Sequence, residues 1–93
     1  MKLLIEKENE RAYFYCVGCK SHHGISLAPG RWTFDGNLEQ PTVNPSVLSY
    51  YEDESGKRIV TCHLFIRAGR LEYLSDCQHE LAGKTVDMED TEL

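Results

Sequence analysis

No stretch of this sequence is apolar for long enough to cross a bilayer as a helix, which takes about 20 residues. The opening MKLLIEKENE offers only Leu3-Leu4-Ile5 before charge returns at Glu6, far too short for a signal-peptide core. The expectation is a cytoplasmic chain with no membrane association, in a compartment that keeps thiols reduced. Basic charge is scarce too. Ten Lys and Arg stand against fifteen Asp and Glu, a formal net charge of −5. The basic residues are scattered rather than gathered into a stripe, so binding to a phosphate backbone is disfavoured. Internal repeats, low-complexity tracts and the HExxH pattern of helical metallohydrolases are all missing.

What is present is a short chain with metal-seeking side chains. Its 93 residues make one domain, 1–93. A chain of this size buries only about 60–65% of the surface exposed by its unfolded form, so the core is thin. Small domains commonly add disulfides or a structural metal. Cys16, Cys19, Cys62 and Cys77 are the staple candidates, and in a reducing compartment close cysteine pairs bind metal more often than they bridge.

The punctuation predicts many short strands. LLI (Leu3–Ile5) and AYFYC (Ala12–Cys16) flank a charged turn and read as a hairpin. GISLA ends at Pro29-Gly30, RWTF ends at Asp35-Gly36-Asn37, and SVLSYY enters a further strand. Pro41 and Pro45 hold PTVNP extended and outside a central ladder. The clearest element is a hairpin from Arg58 to Ser75 around the two-residue loop Ala68-Gly69. Its register pairs Arg67 with Arg70, Ile66 with Leu71, Leu64 with Tyr73, and Cys62 with Ser75. Val60, Cys62, Leu64, Ile66, Leu71 and Tyr73 then share the core face, while His63, Phe65, Glu72 and Leu74 share the other. SDCQHELAG reads as a single helical turn, with Ser75 and Gln78 at capping-box spacing and Gly83 just past its end. KTVDM returns as a last short strand. The fold class is mostly β (small α+β): antiparallel hairpins, a zinc knuckle and one short helical turn near the C-terminus. The acidic stretch from about 87 to 93 reads as a solvated tail.

Cys16-Val17-Gly18-Cys19 has the spacing of a zinc knuckle, a tight turn that brings two thiolates onto one ion. Gly18 allows the backbone amides to approach the sulfurs. No βαβ pattern surrounds the pair, which argues against a thioredoxin-like redox role. A tetrahedral ion needs two more donors, and the chain offers Cys62-His63 on one strand and Cys77-Gln78-His79 after the hairpin. Strand alternation puts only one of Cys62 and His63 on a given face. The sets left open are Cys16, Cys19 and Cys62 with Cys77, or Cys16 and Cys19 with one group from each of the two later pairs, and His23 could close on the same ion. His22 reads as a plain surface residue. Asp76 caps the helical turn, or else orients a metal-bound histidine or serves as a base. Glu80 is the other nearby carboxylate, and Trp32 and Phe34 read as core.

FYCVGCKSHHGI, RWTFDGNLEQPTVNPSVL and CHLFIRAGRLEYLSDCQHELAGKTV together resemble a family of small phage and prophage proteins, over about Phe14 to Val86. Its members often carry the label "ammonia monooxygenase", although a membrane copper oxygenase needs spans and copper ligands that this chain lacks. The resemblance implies metal binding, a pattern falling on Cys16, Cys19, His23, Cys62, His63, Asp76 and His79, and relatives beside bacterial ubiquitin-like conjugation genes. The position of Cys77 is often serine in that family, so the resemblance implies Cys16, Cys19, Cys62 and His79 as the preferred set, with His63, Cys77 and His23 as substitutes. Many members have proline where Val17 stands, a departure that loosens the knuckle turn without removing a thiolate.

Three functions follow. The first is a non-catalytic zinc-stapled module that binds a protein partner, of the host or of a phage, in the host-cell cytoplasm; the reading leans this way. The second is a zinc-dependent hydrolase using His23, His63 and His79 with Asp76 or Glu80. The third is a nucleic-acid-binding zinc ribbon.

Overall fold

A computed structural model describes residues 1–92. Eight strands follow in order: β1 (Leu4–Glu6), β2 (Arg11–Cys16), β3 (Ser21–Ser26), β4 (Thr33–Phe34), β5 (Val43–Glu52), β6 (Arg58–Arg67), β7 (Arg70–Tyr73) and β8 (Thr85–Asp87). They form a three-stranded sheet, β1-β2-β3, and a five-stranded sheet, β4-β5-β6-β7-β8. Every pairing is antiparallel. The fold is mostly β, and its one helical element among the described residues is the 3₁₀ turn Lys7–Asn9. Among the described residues, no helix is long and apolar enough to cross a membrane.

Period-two alternation builds the core. Ala12, Phe14 and Cys16 of β2 point inward, as do Cys62, Leu64 and Ile66 of β6. Leu3, just before β1, and Ile25 of β3 join them, with Val43, Val47, Leu71 and Tyr73 from the large sheet. The β6–β7 hairpin has the predicted register at Arg67/Arg70, Ile66/Leu71 and Leu64/Tyr73. Its loop residues Ala68 and Gly69 both take positive φ, 48° and 79°, the backbone of a turn whose twist matches its strands.

Four expectations are corrected. β7 ends at Tyr73, so Ser75 does not pair with Cys62. Ser75–Gly83 is a run of turns rather than a helical turn; the His79 and Leu81 carbonyls accept from Ala82 and Lys84 without a helix growing from them. Pro45 lies inside β5, not outside the ladder, at a register shift. Val43 pairs with Ile66 and Val47 with Leu64, so Asn44, Pro45 and Ser46 face the single residue Phe65. A bulge is where a strand tolerates proline. The acidic stretch keeps its carboxylates exposed over its described part, residues 87–92 (Leu93 lies outside the described residues), but it is not a free tail: Met88 and Thr91 are buried. Thr91 accepts the Tyr15 N–H and donates to the Lys2 carbonyl, at 3.0 and 2.9 Å.

Candidate functional site

The functional side chains divide between the two faces of β6. Alternation sends Cys62 inward and its neighbour His63 outward, so two centres stand back to back.

The inner centre is built by the β2–β3 knuckle closing on β6. Cys16 ends β2 and faces the core, while the turn through Val17 and Gly18 brings Cys19 back over it. The Cys19 N–H reaches the Cys16 sulfur at 3.5 Å. Gly18 has ordinary φ, so the turn does not demand glycine for its dihedral angle. It demands it for space, because a Cβ there would run into the His79 imidazole. His23 of β3 lies on the same side. The ligand atoms of Cys16, Cys19, His23 and Cys62 all lie within 4.8 Å of one another, a cluster that could hold a metal ion. Cys16 and Cys62 sulfurs are 3.9 Å apart, close to the roughly 3.8 Å edge of a tetrahedron with ~2.3 Å metal–sulfur bonds.

The thiols of this cluster differ sharply in acidity: one is made more acidic and two less. A hydrogen bond from Cys62 draws the Cys16 thiol down to about 3. Burial pushes Cys19 up to about 11, and its bond to Cys16 drives Cys62 far upward. Tyr73, pushed up by burial, donates to Cys16 at 3.1 Å and accepts the Gly18 N–H at 2.9 Å.

The two inner histidines differ in kind. His23 Nδ1 meets Ser49 Oγ at 3.3 Å, while its Nε2 is buried with no hydrogen-bond partner. A buried, unpartnered imidazole nitrogen in a cluster with three thiols, with the other nitrogen oriented by a hydroxyl, is compatible with a metal ligand. His79 Nδ1 instead accepts the Leu81 N–H at 3.2 Å. Its proton therefore sits on Nε2, which points at the Cys62 sulfur at 3.3 Å as a donor. Cys77 groups with Cys62 and His79, but its sulfur bonds the His63 peptide at 3.2 and 3.1 Å. His22 and Glu80 are exposed.

The outer centre contains a residue that the sequence reading did not single out. Ser46, in the β5 bulge, shares the His63 face by alternation from the inward Val47, and Ser46 Oγ lies 3.0 Å from His63 Nε2. His63 Nδ1 lies 3.1 Å from Asp76 Oδ2. Asp76 thus partners His63 rather than capping a helix. A carboxylate only accepts, so Nδ1 carries the proton and Nε2 presents its lone pair to the Ser46 hydroxyl. The Trp32 indole N–H donates to the Ser46 carbonyl at 3.1 Å, tying the bulge to the chain entering β4. Gly30, Arg31, Trp32 and Pro45 border a shallow recess of about 210 Å³ beside it. The metal-hydrolase grouping of His63 and Asp76 with His23 and His79 is not formed, since the first two lie across the sheet from the thiols. The one signal that could have revealed Ser46 was its place on β5, two residues before Leu48, the partner of His63.

No curated protein and no solved structure matches the chain. A family described as "Bacterial ubiquitination-like system serine protease (BubE)" matches residues 1–74, a span that holds the whole inner cluster together with Ser46 and His63. The chain therefore belongs to the BubE family of bacterial ubiquitination-like system serine proteases.

Proposed function

We propose that this chain is a serine peptidase whose triad is Ser46, His63 and Asp76, built on a fold clamped by a structural zinc ion. The observation that carries the reading is the continuous relay from Ser46 Oγ through His63 to Asp76, with both links at about hydrogen-bond length, 3.0 and 3.1 Å. A triad is recognised by geometry and roles rather than by sequence order. The family name supports the serine chemistry, and it suggests a protein substrate within a ubiquitin-like modification system. The protein partner expected from the sequence is then the substrate itself.

The chemistry runs through side chains that are in place. Ser46 Oγ attacks the substrate carbonyl carbon as its proton passes to His63 Nε2. Asp76 holds the imidazole in the required tautomer and stabilises its charged form. His63 then protonates the departing amine, leaving an acyl ester on Ser46. Water opens that ester by the reverse proton path, restoring the hydroxyl.

The zinc ion is read as bound by Cys16, Cys19, Cys62 and His23. Three sulfurs and an imidazole suit zinc, and four protein donors leave no position for a reacting water. When bound, the ion supplies a cross-link between the β2–β3 knuckle and β6, not a reagent. His79 donates to Cys62, as such partners commonly do around a metal.

The test is covalent labelling with a fluorophosphonate, followed by intact-mass measurement and peptide mapping. The expected result is one adduct per chain on Ser46, abolished by Ser46→Ala and by His63→Ala. Labelling that persists in Ser46→Ala would refute the triad.

A further inference from the structure

We propose that Cys77 is a positioning residue, whose thiol holds the backbone of the general base His63 in register with Asp76. This inference rests on the reading of Ser46, His63 and Asp76 as a triad.

The need for such a residue arises where β7 leaves β6. The ladder between them stops at Leu64 and Tyr73, so His63 is the first β6 residue with no strand beside it on that edge. Its carbonyl accepts the Leu74 N–H at 2.9 Å. Its own N–H points the same way and meets no backbone acceptor. The Cys77 sulfur fills that place, 3.2 Å from the His63 N–H and 3.1 Å from the His63 carbonyl oxygen. A thiol is both a weak acceptor and a weak donor, so one atom can serve both halves of the peptide edge.

The segment bearing the thiol is itself pinned. The Cys77 N–H donates to Leu74 O at 3.3 Å, and the Gln78 N–H donates to Thr61 O at 3.0 Å. Asp76 immediately precedes Cys77, so the anchor that fixes the His63 backbone also sets how its carboxylate meets Nδ1. Loss of the thiol would orphan a peptide N–H under the base and remove one of the ties that hold the loop carrying the acid. The sulfur's bonding is spent on this peptide edge, which separates Cys77 from the metal-binding role the sequence offered it.

The test uses the full-length, zinc-loaded chain and a fluorophosphonate probe, read as kinact and KI, with Ser46→Ala as control. Cys77→Ser keeps a donor and an acceptor, whereas Cys77→Val fills the space with neither. Misplacement of a catalytic group by about 1 Å can cost about 100-fold, so Cys77→Val should lower kinact by about 10- to 100-fold while KI moves less than about twofold. Cys77→Ser should stay within about threefold of the parent, and each variant should keep its zinc. Should valine block folding, Cys77→Ala carries the same expectation. A valine or alanine variant as fast as the parent would overturn the inference, as would a serine variant as slow as valine. If Ser46→Ala is silent while the Cys77 variants react normally, only the Cys77 inference fails. Labelling of Ser46→Ala would instead remove the triad, and this inference with it.

Discussion

Replacing Asp76 by asparagine tests the relay at the atom that sets its polarity. The carboxylate can only accept, which keeps the His63 proton on Nδ1 and the lone pair on Nε2 facing Ser46. An amide in its place can turn its NH₂ toward Nδ1. That favours the opposite tautomer, whose Nε2–H cannot take the Ser46 proton. In a buried triad of a well-known serine protease the same exchange costs about 10⁴ in kcat. Here Asp76 is 49% exposed and His63 24%, so water competes for Nδ1 and screens the carboxylate. The expected loss is about 10²- to 10³-fold, roughly 3–4 kcal/mol of transition-state stabilisation. Asp76 meets the base and not the substrate, so KM should hardly move. Fluorophosphonate kinetics supply the rate, and ¹⁵N imidazole shifts report the tautomer directly. An Asp76→Asn chain labelled within about threefold of the parent, or one whose His63 keeps its Nδ1–H, would refute the reasoning.

Other expected outcomes bear on the clamp and the fold. Chelation under reducing conditions should abolish the cooperative thermal transition, because structural zinc contributes about 10–16 kcal/mol against a total domain stability of about 5–15 kcal/mol; a melt moved by only a few degrees contradicts a structural ion. Mass spectrometry under native conditions should find His23→Ala without metal, whereas His79→Ala should retain one zinc with affinity weakened by about 10- to 100-fold. Gly18→Ala forces a methyl into the His79 ring and should destabilise by about 1–3 kcal/mol in a denaturant titration; unchanged stability would mean that the ring does not pack there. Thr91→Val orphans the Tyr15 N–H and the Lys2 carbonyl and should cost about 1–3 kcal/mol in the same measurement.

Much of the fold was legible because local rules decide it. Ala68-Gly69 sets the β6–β7 register, and alternation from there separates Cys62 from His63 without any knowledge of the third dimension. The knuckle announced half of the inner centre through its spacing. Its completion was harder to read, since the choice between His23 and His79 depends on which ring nitrogen a backbone amide occupies. Ser46 was missed for a different reason. Serine is ordinary at strand ends, and two prolines nearby argued against a central strand. The bulge overrides that rule, and only the β5–β6 register reveals that residue 46 sits beside residue 63. The run after Tyr73 misled through its helix-like caps. Its Leu74 and Gln78 amides are committed instead to the His63 and Thr61 carbonyls of β6, and its remaining backbone bonds close local turns.

That Cys62 and His63 are consecutive residues has a consequence for how this molecule can vary. A single-residue insertion or deletion upstream in β6 would exchange the two side chains, delivering an imidazole to the dry interior and a thiol to the solvent face. Such a slip would disturb both centres at once, because consecutive residues of one strand serve them. The thiol cluster and the Ser46–His63–Asp76 relay are therefore coupled through the register of one strand, although a single substitution at Ser46 or Asp76 would remove the relay alone.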